Sequence, residues 1–346
     1  MLFEKKTWNQ PSCTENRIVD TAFTSLPIPT GNHQVGTIRY DLEDLYRKDF
    51  QFPHGRLIPI QIYFPMKKGP HTAQPKIFEK RAHIGPFHPL HTDVYAIQSD
   101  LSHFEGSDHP VIFLNHASCV AMTDYAFLAE DLASHGYVVI SIQHDLKVDG
   151  DGPPFWESRS CSRNAKVIDN ILYVFEWLKE HQNSLFHEKI DLDRVGFIGH
   201  SLGSNSLLFC VNRSLDMLEK DPRHSLFYRK DVKTVRECLI LMEATRFAFP
   251  SNSRFPIFFL FAEDREPYQT KTGCLDQMLR AGHKVRYYKG STHTSFMDHG
   301  YVNPPLSKEL NEPYFKGSSA ERAAFFNLMR EEIREFLANH LDPSNL

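Results

Sequence analysis

Arg194-Val195-Gly196-Phe197-Ile198-Gly199-His200-Ser201-Leu202-Gly203-Ser204-Asn205-Ser206-Leu207-Leu208-Phe209 is the stretch on which the reading of this chain turns. Arg194 to Ile198 is a short apolar strand, and Ser204 to Phe209 can open a helix. Between them Gly199-His200-Ser201-Leu202-Gly203 must swing sharply from one to the other. A turn this tight holds its central residue in strained backbone geometry, so glycines are needed on either side where side chains would collide. It lifts the Ser201 hydroxyl above the sheet edge, with a helix N-terminus behind it that favours developing negative charge. The pattern is that of a nucleophile elbow, with Ser201 as the candidate nucleophile. A tight turn in a nucleotide-binding sheet would look similar, but no second glycine fingerprint accompanies it.

Strand and helix patterns alternate on both sides of this elbow. Upstream, Val111-Ile112-Phe113-Leu114 reads as a buried strand and Tyr137 to Ile142 as another. Between them Thr123 to Ser134 carries Tyr125, Leu128 and Leu132 at the spacing of an amphipathic helix that Gly136 stops. Residues 163–180 repeat the helical spacing with Val167, Ile168, Ile171, Leu172, Phe175 and Leu178. Downstream, Cys238 to Met242, Ile257 to Phe261 and Lys284 to Tyr288 read as strands. The capping box Ser318-Ser319-Ala320-Glu321 opens a last helix with Phe325, Leu328, Met329, Ile333, Phe336 and Leu337 on one side. Such alternation predicts an α/β fold with one mostly parallel central sheet covered by helices on both faces. Arg56 to Pro65 alternates and reads as an antiparallel edge strand, with Pro59 better suited to an edge than a centre. Residues 1–35 are polar and turn-rich, an irregular extension, and residues 36–346 form a single domain.

Bulk properties exclude several classes. A net charge of −4 with short, acid-interrupted basic runs leaves no footprint for nucleic acid. The first residues lack the apolar core of a secretory signal, and no segment is long enough to span a bilayer, although transient contact with a membrane surface stays open. Six cysteines scattered over 346 residues suit reduced thiols in the cytoplasm. Most of the 27 phenylalanines belong to a core, with some available to line an acyl pocket. His83, His88 and His91 lie in a Pro- and Gly-rich stretch with no acid or thiol to complete a metal set, so no metal or other cofactor is expected. His144-Asp145 ends a strand and reads as a hydrogen-bonded structural pair.

A serine hydroxyl needs a base, and the base needs an orienting acid. In the α/β-hydrolase fold these follow in the order serine, acid, histidine, each at a strand's carboxyl end. Gly290-Ser291-Thr292-His293-Thr294-Ser295 follows the last strand, which makes His293 the base; His299 is the competitor. For the acid, both Glu243 and Asp264 follow a strand. A carboxylate at a buried strand end is costly unless it is paired, which favours Glu243. Asp264 stands in the mixed-charge run Glu263-Asp264-Arg265-Glu266, which also reads as a solvated turn. Backbone amides of Leu202 and of Ser118, in the loop Asn115 to Cys119, are the expected oxyanion donors. Cys119 is read as a bystander.

These residues resemble the α/β-hydrolase group that includes the secreted platelet-activating factor acetylhydrolases and their bacterial relatives. The likeness is carried by Phe113 to Ser118 with Thr123, Tyr125 and Asp131 to Tyr137, by Gly199 to Gly203, and by Lys289 to His293. It implies the same fold, a serine esterase activity, Glu243 as the acid and Ser118 as the second oxyanion donor. Departures are a Glu where the family carries Asp, an insertion around residues 211–235, and His116-Ala117 in place of His-Gly. The expected substrate is thus a small-molecule or lipid ester, including acetyl or short acyl esters, while an acetyl-phospholipid does not follow. Peptidase or amidase action on the same scaffold, and a binding protein with a dead site, are the alternatives. Residues 147–162, 211–235 and 300–317 are candidate lids.

Overall fold

The structure is a computed structural model and describes residues 26–47, 55–67, 94–118, 120–144, 161–211, 236–244, 255–302 and 313–342. Its centre is a nine-stranded sheet. The strands are β1 (Gln34–Asp44), β2 (Arg56–Met66), β3 (Ile97–Gln98), β4 (His109–Asn115), β5 (Val138–Ile142), β6 (Ile190–His200), β7 (Arg236–Met242), β8 (Ile257–Ala262) and β9 (Lys284–Tyr288). Their order is β3-β1-β2-β5-β4-β6-β7-β8-β9. Only β2 opposes its neighbours; β4 to β9 pair parallel throughout, so their carboxyl ends meet at one edge.

Side chains alternating along the parallel strands divide the core in two. Val111, Phe113, Val195, Phe197, Leu239, Leu241, Phe259 and Phe261 point to one face. There they pack with helix α2 (Cys161–His181) and the elbow helix α3 (Leu202–Val211). Ile112, Leu114, Ile198, Ile240, Phe258 and Leu260 point to the other, against α1 (Ala126–Ser134) and the terminal helix, Ser319–Leu341. Among the described residues three short helices complete the set in chain order: α4 (Glu266–Lys271), α5 (Cys274–Arg280) and α6 (Asp298–Val302), which makes the terminal helix α7. The expected capping box is present, Ser318 and Glu321 each accepting from the other's backbone amide. Among the described residues, no helix is long and apolar enough to cross a membrane.

Three expectations are corrected. β2 is not an edge strand, since β1 and β5 flank it. Pro59 is tolerated because its carbonyl accepts from Gln143 N–H, which turns its ring nitrogen toward β5 beyond the first β2–β5 pair, Ile60 with Ile142; the missing donor costs one bond at the end of that ladder and none to β1. Helix α1 begins at Ala126, not Thr123, and every residue in it is buried. Its polar members are paired: Asp131 with Arg330 and Arg334, and Glu130 with the amides of Tyr95 and Ala96. Its open amides at Ala126 and Phe127 are capped by Asp298, from the far end of the chain. Finally, β1 begins inside the expected extension, at Gln34.

Candidate active site

β6 ends at His200, and Ser201 follows with φ 50°, the left-handed backbone a sharp turn into α3 demands. The flanking glycines are required by space. A Cβ on Gly199 would lie 2.5 Å from Ser204 N, and one on Gly203 2.8 Å from the Asn115 carbonyl carbon. Contact at Gly203 brings the start of α3, and with it Leu202, onto the loop that follows β4. The strained residue is held by its own amide, which donates to Met242 O at the end of β7 (2.9 Å). Ser201 itself is half-buried, not sealed in the core.

Glu243 directly follows β7 and is also left-handed, with φ 58°. Its amide donates to Leu260 O (2.9 Å) on β8. The side chain is fully buried, and each oxygen is used. Oε1 accepts from Ala262 N–H (2.6 Å), while Oε2 accepts from His293 Nδ1 (2.8 Å) and Arg265 Nε (3.0 Å). Burial would raise this carboxyl. The hydrogen bond and charge of His293, the Ala262 amide and the Arg265 cation outweigh it and hold the group at about 2. Asp264 is exposed in the turn Glu263–Arg265; the carboxylate on His293 is Glu243.

His293 opens the turn His293–Phe296 beyond β9 and is partly exposed. A local capping box fixes this turn: Ser295 Oγ accepts from Thr292 N–H, and Thr292 Oγ1 reaches the Pro313 and Tyr314 carbonyls. His299 sits on α6, buried, with its ring 5.5 Å from that of Tyr314. The base and the elbow meet at His200, whose ring lies 5.2 Å from that of His293 and whose Nε2 donates to His293 O (2.9 Å).

The loop after β4 is held from beneath by buried polar side chains. Asn115 Nδ2 donates to Ile198 O (3.1 Å) on β6, and Asn115 Oδ1 accepts from His144 Nε2 (2.9 Å). His116 Nδ1 donates to Ala117 O (2.6 Å), and its Nε2 accepts from His144 N–H (2.9 Å). Arg56 spans Asn170 and the His144 carbonyl, closing the cluster. Burial, then the neighbouring His116 and Arg56, push His144 well below its ordinary range, so the ring is neutral. Ser118 stands half-buried in the turn just beyond. Asp145, Cys119, His83, His88, His91 and most of the candidate lids lie outside the described residues. Among those described, no group of His, Cys, Asp or Glu is arranged to hold a metal.

Tyr125, His200, Gln143, Asn170 and Arg56 escape a reading of the sequence as parts of the site. Tyr125 carries a usable signal, because a buried tyrosine hydroxyl needs a partner. Its helical spacing marks it only as core.

No protein-family model matches this chain, and no curated protein matches it. Among solved structures it is similar to the ferulic acid esterase from Streptomyces cinnamoneus, with a TM-score of 0.67 at 18% identity. The match covers 92% of this chain and 94% of that one. At this identity the likeness is one of fold, and the fold of the chain is α/β-hydrolase-like.

Proposed function

We propose that this protein is a serine hydrolase of carboxylic esters. The observation that carries the reading is the Glu243–His293 hydrogen bond, formed at the same sheet edge as the elbow and one residue removed from Ser201 through His200. In this reading Ser201 Oγ attacks the ester carbonyl. His293 Nδ1 is committed to Glu243, so Nε2 is the atom that takes the hydroxyl proton and hands it to the leaving alcohol. Glu243, an anion at neutral pH, holds the imidazole and stabilises it when charged. Amides of Leu202 and Ser118 receive the oxyanion, and water then releases the acyl group from Ser201. These steps need no metal or organic cofactor. The reading takes residues 36–346 as one cytoplasmic hydrolase domain.

Substrate choice rests on two supports of different kinds. The motif likeness to platelet-activating factor acetylhydrolases favours acetyl or short acyl esters, lipid esters among them. The structural likeness to a ferulic acid esterase adds esters of an aromatic acid. A fluorophosphonate probe should label the protein, and Ser201→Ala should abolish the labelling. p-Nitrophenyl esters of increasing acyl length, a feruloyl ester and the matching anilides then rank the substrates. Faster anilide than ester turnover would make it an amidase or peptidase. Absence of Ser201-dependent labelling would leave a binding protein with a dead site and overturn the proposal.

A further inference from the structure

His200 is fully buried immediately before the nucleophile, and both of its ring nitrogens are engaged. The polarity of those bonds is forced. His293 O can only accept, so His200 Nε2 carries the proton. Burial, with the neighbouring His293 as the next cause, pushes His200 down to about 3, so the ring is neutral and Nδ1 must accept. Its partner is the Tyr125 hydroxyl (2.9 Å), which burial keeps protonated and which therefore donates. Tyr125 Oη in turn accepts from Ala117 N–H (2.9 Å), one residue before Ser118. The result is a single directed chain, Ala117 N–H to Tyr125 O–H to His200 Nε2–H to His293 O. Reversing any one bond would leave a buried donor or acceptor unpaired.

This chain joins three parts of the candidate site: the loop after β4, the elbow and the turn after β9. Ala117 belongs to the β4 loop, Tyr125 precedes α1, His200 ends β6 next to Ser201, and His293 begins the loop after β9. Resting on the serine-hydrolase reading, we infer that Tyr125 and His200 are positioning residues that hold the oxyanion loop and the base loop in one register with Ser201. Neither touches substrate. Their task is distance: misplacing a reacting group by about 1 Å costs on the order of 10²-fold in rate. The packing supports a positioning role, since the Tyr125 and His200 rings meet edge to face at 5.8 Å and Phe296 of the base loop closes on His200 at 5.8 Å.

Tyr125→Phe in the full chain is the sharpest test, because it removes one oxygen and leaves the ring. On the best p-nitrophenyl ester, kcat should fall about 10- to 100-fold with KM changed less than about twofold. His200→Gln, which keeps one donor and one acceptor, should retain more turnover than His200→Leu. The double variant Tyr125→Phe with His200→Gln should be no slower than the worse single variant, as members of one chain are non-additive. Hydrogen exchange supplies a readout independent of activity: Tyr125→Phe should unprotect both residues 115–125 and residues 290–297 while β6 stays protected. Loss confined to 115–125, unchanged kcat in a variant that merely melts earlier, or losses that multiply in the double variant would each overturn the inference. Failure of the underlying reading shows differently, as a wild-type protein without Ser201-dependent labelling; the exchange pattern still decides whether the relay exists.

Discussion

β6 and β7 are neighbours in the sheet, and each ends in a residue other than glycine held at positive φ, Ser201 at 50° and Glu243 at 58°. Each is braced in the same way, its amide donating to the end of the strand beside it: Ser201 N–H to Met242 O, Glu243 N–H to Leu260 O. The two turns differ in how they are enforced. Beyond Ser201 the chain reverses into a helix whose first turn leaves no room for a Cβ on Gly199 and whose approach to Asn115, at the end of β4, leaves none on Gly203. Glu243 has Met242 and Ala244 as its flanks, both with side chains, and its conformation is secured by what its carboxylate binds. Crowding by a helix writes glycines into a sequence. A strained turn anchored through its own side chain does not.

The chemical roles should separate most widely. Replacement of an orienting acid by its amide leaves the geometry but favours the wrong imidazole tautomer, which costs about 10⁴-fold in kcat. Glu243→Gln should lose turnover on that scale. Asp264→Asn, in an exposed turn, should stay within about twofold of wild type. Ester turnover at equal concentrations of folded protein measures both, and collapse in Asp264→Asn alone would move the acid to the neighbouring strand end.

Stability should part the two turns by less. Gly203→Ala forces a methyl into backbone that cannot yield and should cost about 1–3 kcal/mol in urea unfolding. Ser201→Gly relieves a left-handed strain of about 1–2 kcal/mol, offset by roughly 0.5–1 kcal/mol of glycine's chain entropy, so a small net gain is expected over Ser201→Ala. The same substitution at the other strand end should go the opposite way. Glu243→Gly also relaxes the backbone, yet it leaves the buried Ala262 amide without its acceptor, a loss of about 1–3 kcal/mol. A gain at both positions would mean that the carboxylate does not secure its turn.

The same contrast explains how much the letters alone convey. β4, β6, β7 and β8 are legible because four- to seven-residue apolar runs buried on both faces have few alternatives. The elbow is legible through its glycines. Glu243 is legible only as one of two slots, since its decisive neighbours, Ala262 and Arg265, belong to another strand end. The start of α1 escapes the local pattern because its cap, Asp298, lies more than 170 residues downstream. The position of β2 escapes it because Pro59 argues against an interior strand unless the end of the β5 ladder is known. Tyr125 and His200 are hidden for a related reason: each looks like a filler of core or motif until its hydroxyl or ring nitrogen is traced to a partner far along the chain.

The smallest effect is expected at Arg265, which shares Glu243 Oε2 with His293 while remaining partly exposed. Glu243 is held at about 2 in the folded protein, below its ordinary 4.5. A carboxyl lowered on folding adds stability that is fully present above its unfolded value and is lost as the pH falls through the folded one. Wild-type stability from this group should therefore decline between pH 4.5 and about 2. Arg265→Met removes one of the attractions that lower the group, so its folded value moves up and the protected window narrows. The variant should melt below wild type at neutral pH, and the gap should narrow as the pH falls toward about 2 and close below it, where the carboxyl is protonated in both proteins. Combining Arg265→Met with Glu243→Gln should erase the pH dependence of the gap, because the carboxylate that Arg265 pairs with is no longer ionisable. A melting difference that stays constant from pH 6 to 2.5 would show that Arg265 packs against the acid turn without setting its charge.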